Sequence, residues 1–246
     1  MISIKNKFLV FFTLIIFWTI LAYFNDPIIL PSPKIVFLSL IDILRTKESY
    51  QMIASSFIRV LLGLAMTFLI GIPLGVGLSL SKAAKELVMP LIKFLQGTPV
   101  ISWILLALIW LNIEYIPIFI LLLNSLPILT INIYEGIMSI DKKLLEMSKF
   151  YKVSNKKIIK NLYIPSTVSH IVASSGIILS SSFKIVVMAE IITKISSGVG
   201  SSINYAWINI ETEKILAWTL ILVSLSMLID FFINKILKSR LEKYYA

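Results

Sequence analysis

The stretch VLLGLAMTFLIGIPLGVGLSLS, Val60 to Ser81, contains no Asp, Glu, Lys or Arg and lies between Arg59 and Lys82. A helix needs roughly 17–25 consecutive apolar residues to cross a bilayer, so this run predicts a membrane span. Similar runs recur on both sides. Phe8 to Asn25 precedes it, and Phe94 to Ile113 and Tyr115 to Tyr134 follow, separated by Glu114. Asn161 to Phe183 continues past Lys184 to about Ile195, and Ile215 to Asn234 carries Asp230 near its end. The sequence therefore predicts an all-α, polytopic integral membrane protein of about six transmembrane helices. The first run is longer than a signal-peptide core and has no small-x-small cleavage site after Phe24, so it is expected to stay as an uncleaved helix.

Composition agrees. Of 246 residues, 58% are hydrophobic and 15% charged, with a mean hydropathy of +0.92. Soluble domains carry about 25% charged residues. A chain so poor in charge cannot clothe an ordinary water-soluble enzyme of this length. With no cysteine, thiolate metal sites, disulfides and cysteine nucleophiles are excluded; the single histidine, His170, argues against a metal site built on imidazoles, and no cofactor or metal is expected.

The net charge of +10 could suggest a nucleic-acid partner, but its position argues otherwise. Sixteen of the 23 basic residues fall at one end of the expected spans, among them Lys5, Lys82, Lys93, seven lysines from Lys142 to Lys160, and Lys243. Only six, including Arg59 and Lys194, fall at the other end. By the positive-inside rule both termini are expected in the cytoplasm. The basic excess is a topology signal, and no nucleic-acid partner is expected.

Between the first two spans, Leu30-Pro-Ser-Pro-Lys34 opens a short helix, with Ser32 as N-cap and Pro33 at its first position. Ile35, Leu38 and Ile41 follow at helical spacing, which fits an interfacial helix on the outer surface and equally an ordinary loop helix with no specific role.

The charged interval IDKKLLEMSKFYKVSNKKIIKNLYIP, Ile140 to Pro165, lies between two spans. Asp141 can cap a helix carrying Leu144, Leu145, Ser148 and Tyr151 on one side. Ser154 or Asn155 can cap a second, with Ile158, Ile159 and Leu162. Two short helices with apolar edges suit a docking element, which transmits motion only if it is rigidly continuous with the membrane helices beside it. A solvated basic loop that merely enforces topology is the alternative.

This interval resembles the EAA loop of permease subunits in binding-protein-dependent ABC importers. Glu146-Met147-Ser148 stands at the Glu-Ala-Ala positions, and Leu162-Tyr163-Ile164-Pro165 closes the pattern at the correct spacing. Both alanines are replaced, and Lys152 occupies the position of the motif glycine, where a turn needing positive φ would strain a lysine. The LPSP at Leu30, the run from Ser56 to Ser81, and Ala189-Glu190-Ile191-Ile192 followed by SSGVGSSIN are similar to the nitrate, sulfonate and taurine branch of these permeases.

The resemblance implies a type I permease fold. It implies one permease domain over 1–246, with a transmembrane core at about 51–240 and a cytoplasmic coupling loop at 140–165. Glu146, Met147, Ser148, Lys152 and Pro165 would then face a cytoplasmic ATP-binding subunit. The chain lacks G-x-x-x-x-G-K-[ST], so ATP would be hydrolysed by that partner and the chain would not be an enzyme. The other implied partners are an extracytoplasmic solute-binding protein and a second permease copy, all at the cell membrane. The transported solute would be small and anionic.

Within the spans, Gly71-x-x-x-Gly75 is expected to pack closely against another helix. The fifth span is rich in serine. Ser175, Ser181 and Ser182, with Lys184, are the candidate lining of a translocation path, since intramembrane charges mark function. The alternative for Lys184 is snorkelling, or pairing with Asp230 or Glu135. Glu190 lies four residues before Lys194, which predicts a surface i,i+4 pair. His170 is expected as a packed polar residue. A stand-alone ion-coupled transporter would require an internal repeat, and none is visible. An intramembrane enzyme lacks H-E-x-x-H or G-x-S-x-G.

Overall fold

In an apolar solvent a segment must satisfy its backbone hydrogen bonds internally, which favours helices. The computed structural model describes the backbone of residues 4–245 and most of their side chains. The elements are α1 (Ile4–Tyr23), α2 (Pro33–Arg45), α3 (Lys47–Leu80), α4 (Lys82–Gly97), α5 (Val100–Trp110), α6 (Ile116–Met138), α7 (Lys142–Phe150), α8 (Asn155–Ile158), α9 (Ile164–Thr193), α10 (Val199–Ile208) and α11 (Thr212–Tyr245). No strand occurs among the described residues.

Four helical stretches are long and apolar enough to cross a membrane among the described residues: Lys47–Leu80, Ile113–Met138, Asn161–Thr193 and Thr212–Ile229. The expected third span, Phe94 to Ile113, is instead broken between α4 and α5 by a bend of 101°. Thr98 precedes Pro99 and is pushed to extended geometry (φ −84°, ψ 131°), because the proline ring disfavours the helical region for the residue before it. Taken as one bent span, this pair makes a fifth. The apolar part of α1, Phe12–Tyr23, is shorter.

The second expected span also changes. Its helix begins at Lys47 rather than Val60, and Arg59 lies inside it, only 6% exposed. A charge-free run ends at an ionised residue, whereas a helix continues through one whose charge is paired.

α6 is the central helix. Its Ile116, Ile120, Leu121, Leu129, Ile133 and Ile137 are buried between α3 and α9. α3 turns a glycine face towards it. A Cβ built on Gly63 would lie 2.7 Å from Leu121 Cδ2, on Gly71 2.9 Å from Leu129 Cδ2, and on Gly75 2.8 Å from Ile133 Cβ. The expected close approach at Gly71 and Gly75 is found, and Gly63, eight residues before Gly71, extends it. Across α6, a Cβ on Gly136 would meet the His170 ring at 2.7 Å, which places this histidine as a packing residue.

α2 has Pro33 at its start, as expected, but the Ser32 hydroxyl makes no cap bond. Val36 and Ile43 are the buried pair, packed in a cluster with Ala217, Trp218 and Ile221 of α11, while Ile35 and Leu38 face outward. The helix is apolar on both sides, so helical spacing alone does not single out the face that packs inward.

Candidate functional site

Three stations along α9 carry the chemistry. At the lysine-rich end, the Asp141 carboxylate accepts the Lys143 N–H at 2.8 Å, capping α7 as expected. α7 and the turn after it then expose Leu144, Met147, Phe150 and Tyr151, with Glu146 also at the surface and Ser148 half-buried. The Leu145 and Asp230 side chains lie outside the described residues. The Phe150 and Tyr151 rings meet edge to face at 5.6 Å. Exposed apolar groups on a short basic helix form a surface suited to covering by a partner.

α7 ends in a turn in which the Val153 N–H donates to the Ser148 carbonyl at 2.9 Å and Lys152 sits at φ 50°. This is a Schellman-type cap, whose left-handed residue is usually glycine. The turn is therefore neither remodelled nor shifted by lysine, which adopts the strained conformation. Beyond it, α8 passes through a π turn at Ile159–Tyr163 directly into α9. Pro165 cannot donate to a carbonyl one turn earlier and crowds it, and widening the preceding turn relieves that clash. The second half of the loop is thus continuous with a membrane helix. An apolar cavity of about 580 Å³ lies beneath, lined by Ile72, Val76, Ile137, Ile158, Tyr163 and Ser148 among others.

At mid-length, Ala173, Ile177, Lys184 and Met188 form an exposed stripe on α9, with Ser180 and Ser181 half-exposed beside it. Lys184 makes no ion pair with a described side chain. Ser175 and Ser182 face the opposite way and are buried, their hydroxyls donating to the Ile171 and Leu179 carbonyls at 2.6 and 2.8 Å. Of the four residues expected to share a path, Lys184 and Ser181 border the open face. Ser175 and Ser182 pack inward.

At the far end the surface pair expected for Glu190 is absent. Glu190 is 0% exposed. Its carboxylate accepts from Arg59 Nη1 at 2.8 Å, from the Ser56 hydroxyl at 2.8 and 2.9 Å, and from the Gly200 N–H at 2.9 Å. Ser56 in turn accepts the Val199 N–H at 2.8 Å. Arg59 also donates to the Ser197 carbonyl at 2.7 Å and, through Nη2, to Glu114 at 2.8 Å. Lys194 instead ends α9 in a left-handed cap at φ 51°. Sequence reasoning placed Arg59 outside the spans and so missed it. The available signal was Ser56 and Arg59 on one helical face, and Glu190 as the sole acid between Glu146 and Glu211.

The family model for the binding-protein-dependent transport system inner membrane component matches residues 67–243. The chain belongs to this family. It is the permease subunit of an ABC importer, a membrane transport component rather than an enzyme. Among curated proteins, this permease is 28% identical over 174 residues to a "probable ABC transporter permease protein" of Brucella melitensis, covering 70% of each chain. It is 23% identical over 224 residues to the taurine transport system permease protein TauC of Escherichia coli, covering 88% of this chain and 81% of that one. A putative aliphatic sulfonates transport permease of the same organism is 28% identical over 203 residues, covering 82% and 77%. Among solved structures, inward-facing conformations of the MetNI methionine ABC transporter superpose with a TM-score of 0.61 at 19% identity, covering 78% of this permease and 94% of that chain. The type I permease fold expected from sequence is thereby found.

Proposed function

We propose that this permease forms, with a second copy of itself, the path for a small anionic solute such as a sulfonate. A solute-binding protein delivers the solute on the outer side and a separate ATP-binding subunit drives the cycle from the cytoplasm. The reading treats residues 1–246 as one permease domain, with 51–240 as its core, 140–165 as the coupling loop and both termini cytoplasmic.

The continuity of α8, the π turn and α9 carries this reading. A push on the coupling loop reaches Lys184 through one helix. Glu146 and Met147 are the exposed groups that meet the ATPase. Ser148 faces the cavity under the loop, Lys152 shapes its turn, and Pro165 sets the π turn. Lys184 offers a positive charge on an otherwise apolar open stripe, and the taurine and sulfonate names of the relatives support an anionic cargo. Ser181 borders this stripe. Ser175 and Ser182 could join the path only if α9 turned, so the anionic cargo rests on Lys184.

The test is ATP-driven uptake of taurine and an alkanesulfonate into liposomes holding permease, ATPase and binding protein. Lys184→Met should abolish uptake while assembly and melting temperature stay unchanged, and Lys184→Arg should retain part of it. Normal uptake in Lys184→Met would sink the anion-path assignment. Solute uptake by the permease alone, down an ion gradient, would sink the ATP-driven reading.

A further inference from the structure

At the end opposite the coupling loop, one guanidinium holds two carboxylates in different surroundings. Glu190 is wholly buried and also receives Ser56 and the Gly200 N–H, whereas Glu114 is 52% exposed and Arg59 is its only ion-pair partner among the described residues. Glu114 stands on the short turn between α5 and α6, where Leu111 to Tyr115 are all exposed. The turn has little apolar anchorage of its own. Arg59 joins it to α3, and through Glu190 and Ser197 to α9 and the turn entering α10.

The two arms differ in what breaking them leaves behind. Releasing Glu190 would strand a buried charge, which costs far more than an intact pair returns. Releasing Glu114 hands a carboxylate to water, and exposed pairs are weak. Two glycines make room for the strong arm. A Cβ on Gly198 would lie 2.6 Å from the Glu190 carboxylate, and one on Gly200 would lie 2.5 Å from Glu190 Cβ.

We propose that Arg59 is the positioning residue of a clasp at this end. It remains on Glu190 throughout and releases Glu114 when the α5–α6 turn swings away from α3. On the permease reading above, on which this rests, the clasp closes the outer end of the path in the state described.

The chain has no cysteine, so two introduced cysteines can be spin-labelled cleanly. Ile58→Cys and Ile113→Cys, both at exposed positions flanking the clasp, report its opening as a loss of dipolar broadening in the nitroxide spectrum in proteoliposomes. Glu114→Gln should reduce the broadening with little change in melting temperature. Glu190→Gln should lower the melting temperature by roughly 10 °C or prevent folding. Glu114→Gln with unchanged broadening would overturn the clasp, as would a Glu190→Gln protein as stable as Glu114→Gln. With the ATPase subunit and binding protein present, ATP should move the parent spectrum towards that of Glu114→Gln. ATP-driven uptake without that movement overturns the clasp alone. Movement on Glu114→Gln without ATP-driven uptake overturns the transport reading and leaves the clasp standing.

Discussion

Among the described residues, three non-glycine residues, Lys152, Lys194 and Ile210, take positive φ, each closing a helix. The left-handed region costs an L-residue roughly 1–2 kcal/mol, and glycine escapes most of it. Lys152 is exposed, so glycine there gives up no buried contact. Lys152→Gly should therefore stabilise the chain by about 1 kcal/mol, a rise of roughly 2–4 °C in the midpoint of thermal unfolding, with coupling retained. A fall in that midpoint would show that the lysine makes a compensating contact. Gly200→Ala should act oppositely, because its Cβ would sit 2.5 Å from Glu190 Cβ and 2.6 Å from the Val187 carbonyl. A loss of about 1–3 kcal/mol is expected by denaturant titration in detergent. The need for a special backbone at position 152 was legible, because a pattern expecting glycine marks positive φ. The partner of Glu190 was not. Its ligands come from positions 56, 59 and 200, and local spacing offered only Lys194.

At the scale of elements, hydropathy located the long helices well and their ends poorly. α6, α9 and α11 lie where uncharged runs predict them, because a continuous apolar surface needs a continuous helix in lipid. α3 was cut short at Arg59, whose charge is cancelled by a residue more than a hundred positions away. The third span was drawn straight through Thr98-Pro99, although a residue before proline resists helix. The glycine face of α3 was legible as small residues four apart, and it separates packing from composition. Gly75 and Gly77 belong to one helix, yet a Cβ on Gly75 would meet Ile133 at 2.8 Å and the Thr130 carbonyl at 3.0 Å, while one on Gly77 meets nothing within 4 Å. Gly75→Ala should force α3 from α6 and cost roughly 1–3 kcal/mol. Gly77→Ala should gain about 0.5–1 kcal/mol from helix propensity. Equal melting temperatures for the two variants would show that the α3–α6 approach does not limit stability.

For the whole molecule, the proposed coupling requires an event at α7 to reach Lys184 and the proposed Arg59 clasp at the far end. The exposed groups of α7, the turn at Lys152, and the unbroken run from Asn155 to Thr193 lie in series, with Lys184 and Glu190 on the final helix. The turn at Val153 and Ser154 is already a break in helical continuity, whereas Lys160 and Asn161 lie within the π turn that joins α8 to α9. Flexibility added at the two places should therefore act differently. Each glycine in a helix interior costs about 1 kcal/mol of local helix stability, so Lys160→Gly with Asn161→Gly makes the joint compliant while leaving α9 above Ile164 intact. In liposomes with ATPase and binding protein, that pair should leave ATP hydrolysis running and lower solute moved per ATP several-fold. The matched pair Val153→Gly with Ser154→Gly should leave the ratio near that of the parent, because it loosens a segment that bears no helical continuity. The ratio is the decisive measurement, since loss of hydrolysis and uptake together would mean that the ATPase no longer docks. If both pairs left the ratio unchanged, rigid transmission through the π turn would be refuted, and motion would have to reach α9 through its packing against α6.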